Sequence, residues 1–84
     1  MVTAERYPCG MSTYQIRSES DLGMVIADQR RAVGLTQADL AERAGLSRDY
    51  IAKIENGRTS SVMTHAFRLL RRLGATITIT FDDV

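Results

Sequence analysis

Cysteine, proline and histidine each occur once in the 84 residues, and aromatic side chains make up only 6%. A single thiol, Cys9, leaves no disulfide to staple the chain. Cys9 and His65 lie far apart in sequence, which argues against a metal site. There is no Gly-rich phosphate loop, no paired carboxylates in a plausible pocket and no metal-ligand cluster, so the pattern supports neither an enzyme nor a bound cofactor. No apolar run approaches the roughly 20 residues that span a bilayer. The first ten residues lack the basic-then-apolar order of a signal peptide, and a lone cysteine fits a reducing cytoplasm. A chain this short makes one domain, not two, and a domain of this size buries only about 60% of its unfolded surface. Without staples, pairing with a second copy is the remaining common way to bury more.

The formal net charge is only +1. Its distribution is uneven. Arg30 to Arg72 holds nine Lys or Arg and four Asp or Glu, a balance of +5, and the remainder carries a balance of −4. The middle of the chain therefore has the means to present a basic face, although solvated helix surface gives the same count.

Residues 1–17, with Pro8 and Gly10, read as a flexible lead, with Tyr14 to Arg17 alternating as a short strand would. Four helices are expected between residues 18 and 74. The first has Ser18 as N-cap with Asp21 three positions on, and stops at Gly34. The second runs from the Thr36 cap to Ala44, the third from the Ser47 cap to about Asn56, and the fourth begins near Ser60 or Ser61 and stops at Gly74. In the fourth, Met63, Ala66, Phe67, Leu70 and Leu73 read as a core-facing stripe, while His65, Arg68, Arg71 and Arg72 read as surface. Residues 75–84 change period. Ala75, Ile77, Ile79 and Phe81 alternate with Thr76, Thr78 and Thr80, a strand signal with no convincing partner in the chain. A lone strand leaves its backbone unpaired, so this segment is expected to pair with its copy across a homodimer.

The informative stretch runs from Thr36 to Glu55. Two short helices flank a turn at Gly45, Ala41 is small where the helices approach, and Leu40, Leu46, Ile51 and Ile54 are placed to share a core. Such a pair leaves the start of its second helix protruding, and a protruding helix fits the DNA major groove. Gly34-Leu35-Thr36-Gln37, Leu40-Ala41, Gly45, Ile51 and Ile54-Glu55-Asn56-Gly57 resemble the helix-turn-helix proteins of the lambda-repressor and Cro type, the xenobiotic-response-element family. Four helices followed by one strand, over Ser18 to Phe81, resemble in particular the HipB-like antitoxins. The implied fold is mainly α: a four-helix lambda-repressor-like domain plus a C-terminal strand joining a homodimer.

The resemblance also implies roles. Thr36 and Gln37 open a helix whose free N–H groups attract a DNA phosphate, and Ser47 caps the third helix near another. Arg48 and Asp49 take the positions that face base edges, suited to guanine and to cytosine N4 respectively. Lys53 reaches a base or a phosphate, Tyr50 packs on the sugar-phosphate backbone or covers the core, and Asn56 and Arg58 hold the backbone. Arg30 and Glu55 match an ion pair tying the first helix to the third. Ala75, Ile77, Ile79 and Phe81 are the expected dimer residues. The partners implied are a double-stranded DNA operator, a second copy and, in a HipB-like antitoxin, a HipA-like serine/threonine kinase toxin. A stand-alone phage-type or restriction-modification control regulator remains an alternative. A protein-interaction module that never touches DNA is another, and the charges of Arg48 and Lys53 argue against it.

Overall fold

The computed structural model describes residues 3–7 and 11–82, with side chains from residue 12 onward. Strands β1 (Thr3–Tyr7) and β2 (Met11–Ile16) precede helices α1 (Glu19–Ala32), α2 (Gln37–Ala44), α3 (Arg48–Glu55) and α4 (Ser61–Arg72), and β3 (Ile77–Asp82) closes the order. Pro8, Cys9 and Gly10, on which part of the sequence reading rests, lie outside the described residues.

The helix starts follow the caps. The hydroxyls of Ser18, Thr36, Ser47 and Ser60 each accept an N–H from the third residue onward. Thr36 and Asp39 form a reciprocal capping box, with Asp39 Oδ2 3.0 Å from the Thr36 nitrogen. Asp21 departs from that arrangement: its carboxylate reaches back to the N–H of Arg17, one residue before the cap.

The sheet corrects the expected dimer strand. β3 does not pair across a dimer; it lies antiparallel to β2 of its own chain, with Tyr14 opposite Ile79 and Ile16 opposite Ile77, and β1 adds on the far side of β2. Residues expected to form a flexible lead thus supply the missing hydrogen bonds. The reason lies in β2's pattern: only Tyr14 and Ile16 are large and apolar on its inner face, and Ser12 completes that face, so its alternation is short. The facing predicted for the terminal strand itself is seen. Ile77, Ile79 and Phe81 pack toward the core and Thr78 and Thr80 face outward, while Ala75 precedes the strand and is exposed. Tyr14 and Phe81 meet edge to face at 5.9 Å between centroids.

Ile16, Val25 and Phe67 form the centre, where β2, α1 and α4 converge. The expected α4 stripe splits. Phe67 is buried and Ala66 and Leu70 are half-buried, but Met63 is exposed and Leu73 is 81% exposed. Gly23 sets the approach of α1 to α3. A Cβ there would fall well inside van der Waals contact with the carbonyl oxygens of Ile54 and Glu55, backbone atoms that cannot swing aside. Gly23→Ala should therefore destabilise the fold by about 1–3 kcal/mol of overpacking, outweighing the roughly 1 kcal/mol that alanine gains in a helix interior. Thermal unfolding followed by circular dichroism checks this; an unchanged or raised Tm would show that the helices can separate at no cost.

Candidate nucleic-acid interface

The turn between α2 and α3 depends on one conformation. Gly45 sits at φ 72°, a left-handed geometry that costs a residue with a Cβ, and the Leu46 N–H returns to the Ala41 carbonyl at 2.9 Å. Ala41 and Ile51 are buried between the two helices, and Leu40 and Ile54 are half-buried. Leu46, expected in that core, is an exposed turn residue instead.

Helical spacing then sorts α3 into two faces. Ile51, Ile54 and Glu55 point inward, and Arg48, Asp49 and Lys53 are exposed. The Asp49 side chain is 89% accessible and makes only a loose 3.9 Å contact to Arg48. Such an exposed pair contributes little to stability, so Arg48 remains available. Tyr50, Asn56 and Arg58 are also exposed, and Ser47 accepts the Tyr50 N–H at 3.1 Å. At the start of α2, Thr36 is committed to its capping box. The Gln37 side-chain amide is turned inward, donating to Glu55 Oε1 at 2.9 Å.

That contact belongs to a buried polar cluster. Arg30 Nε and Nη2 meet Glu55 Oε2 and Oε1 at 2.7 and 3.1 Å, and Arg30 Nη1 donates to the Leu35 carbonyl at 2.9 Å. The two side chains are 9% and 5% exposed. One guanidinium thus fastens α1 to α3 and to the loop entering α2, and Gln37 adds α2 itself.

The family model HTH_3, described as Helix-turn-helix, matches residues 26–79. The chain belongs to the Cro/C1-type helix-turn-helix family. It is therefore a DNA-binding regulator and not an enzyme. An uncharacterized HTH-type transcriptional regulator of Methanothermobacter thermautotrophicus is 44% identical over 50 residues, covering 60% of this chain and 72% of the relative. The uncharacterized HTH-type transcriptional regulator y4dJ of Sinorhizobium fredii is 34% identical over 53 residues, covering 63% and 69%. The ImmF control region 10 kDa protein of Bacillus phage phi105 is 46% identical over 37 residues, covering 44% of this chain and 41% of the phage protein. No solved structure matches the chain. Among the described residues no helix is long and apolar enough to cross a membrane.

Within this helix-turn-helix domain the Arg30 hydrogen bonds hold the Glu55 carboxyl below its ordinary value of 4.5, against the opposing effect of burial, with the Gln37 amide assisting. A carboxyl depressed by folding stabilises the native state above its unfolded value, and that stabilisation is lost as pH falls through the lowered value. Acid unfolding should therefore steepen below about pH 4.5, and Glu55→Gln should remove that part of the slope. In a double-mutant cycle with Arg30→Met, the coupling energy should exceed the roughly 0–1 kcal/mol of a surface pair. Chemical denaturation of the four proteins measures it, and a coupling of zero would mean the two side chains act independently.

Proposed function

We propose that this protein is a homodimeric transcriptional repressor of the bacterial cytoplasm, working at the nucleoid, which reads an inverted-repeat operator with α3. The observation that carries the reading is the outer arc of α3, where Arg48 and Lys53 stand exposed on a helix whose inner face is locked. Arg48, at the helix start, is suited to bidentate contact with guanine, and Asp49 to cytosine N4. Lys53, Asn56 and Arg58 serve the phosphates, as does the first turn of α2. There the backbone N–H groups of Gln37 and Ala38 make the contact, since the Thr36 N–H is held by Asp39 and the Gln37 amide by Glu55. Tyr50 packs against the sugar-phosphate backbone.

The dimer contact falls to α4 now that β3 has its partner. Val62, Ala66, Leu69 and Leu73 repeat with spacings of four, three and four, the spacing of a helix–helix seam. Val62, Leu69 and Leu73 are 77%, 63% and 81% exposed. A second α4 running antiparallel would set Leu73 against Val62 and keep the two Arg71–Arg72 ends apart.

The antitoxin reading rested on a terminal strand joining two chains, and with β3 paired to β2 that support is gone. Similarity to a phage control-region protein favours a regulator that works without a HipA-like kinase. A kinase that co-purifies from the native host would reinstate the toxin partner.

Leu69→Glu should give a folded monomer by sedimentation, and a stable dimer would move the interface elsewhere. Sites selected from random DNA by the wild type should show dyad symmetry, with half-sites about 34–36 Å apart or a multiple of that. Arg48→Ala should cost about 1–3 kcal/mol per half-site and relax one base position. Lys53→Ala should weaken all sequences evenly and reduce the salt slope by about one. An unchanged base preference in Arg48→Ala would remove it from the reading role.

A further inference from the structure

Beside α3 lies a groove whose apolar floor none of these roles uses. It encloses about 600 Å³ between α1, α3 and the start of α4, within the range of small-ligand sites. Its floor is apolar, made by Leu22 and Ile26 from α1, Ile54 from α3 and Met63 from α4. Its rim is cationic. Lys53 and Arg58 line it, no acidic residue does, and neither cation forms an ion pair with a described residue. Thr59 lines the same wall; its hydroxyl is buried out of reach of solvent, with no hydrogen-bond partner among the described residues.

We infer that this groove binds a small amphiphilic anion: an apolar body on the Leu22, Ile26, Ile54 and Met63 floor, with a carboxylate at Lys53 and Arg58. The complementarity is in the two ends. Apolar lining alone would accept any hydrocarbon, but two cations on the rim specify a negative head. The same two cations are the ones proposed above for phosphates. Ligand carboxylate and operator phosphate therefore compete for them, and the bound anion acts as an inducer that releases DNA. This effect on DNA rests on the proposed repressor reading; the binding site itself does not.

The experiment uses the full chain, isotopically labelled, titrated with decanoate below its micellar concentration and followed by amide chemical shifts. Saturable shifts in α1, α3 and the first turn of α4 are expected. Decanol, with the same chain and no charge, should bind at least about tenfold more weakly, the size of a charge-assisted hydrogen bond. Arg58→Gln should weaken decanoate without affecting decanol. Met63→Trp, which fills the groove from an exposed position, should abolish both shifts and leave operator binding intact; decanoate should then displace operator from the wild type and not from this variant. Absence of saturable shifts, or equal affinity for decanol, overturns the site. Groove amides that move on protein dilution and not with decanoate would assign the groove to a second copy, and also overturn it. A wild type that binds decanoate but no DNA would sink the repressor reading and leave the binding site standing.

Discussion

A single carboxylate, Glu55, holds α3 to its support. It receives two bonds from Arg30 and one from Gln37, so α1, α2 and α3 meet on its oxygens. Buried ion pairs do not stabilise cheaply, because both charges must leave water. What this one provides is geometry. A planar guanidinium on a planar carboxylate has few alternative arrangements, and Arg30 is further fixed by the Leu35 carbonyl. The orientation of α3 relative to α1 is thereby set within narrow limits. Gly23 works to the same end from the backbone side, removing a Cβ so that α1 can close on the end of α3.

The sequence showed these features to very different degrees. The four helices were legible because their signals are local: a hydroxyl at each start, and glycine at each stop or turn. The helix-turn-helix was legible for the same reason, its spacing being dictated by contacts within twenty residues. The partner of β3 was not. Pairing between residues 67 positions apart leaves no local mark, and β2's apolar face is only two residues long. Gly23 was open to discovery, since a glycine inside a helical pattern usually signals close packing. The exposed half of α4 was misread because periodicity reports an apolar face without saying what covers it. The inward turn of Gln37 and the unpaired Thr59 hydroxyl depend on side-chain rotamers and carry no sequence signal at all.

Charge follows the same division of labour. The excess of basic residues between Arg30 and Arg72 is not one patch. Arg30 is consumed by Glu55, Arg31 lies 3.6 Å from Asp28, and Arg71 donates to the Arg17 carbonyl at 2.8 Å. What remains uncommitted around α3 is Arg48, Lys53 and Arg58. A net charge near zero is thus compatible with a locally cationic surface, and long-range attraction to DNA should be modest next to short-range fit.

The order of strands has a consequence for synthesis. β2 is made early and β3 late, with Thr13 and Thr80 neighbours in the sheet but 67 residues apart in the chain. At about 5–20 residues per second, β2 waits roughly 3–13 s on the ribosome before its partner emerges. Helices form in about a microsecond, so α1 to α4 can assemble during that interval. Throughout it Tyr14 and Ile16 lack their cover and β2 has an unsatisfied edge. The sheet is therefore completed last, when the arrival of Ile77 to Phe81 covers Tyr14 and Ile16.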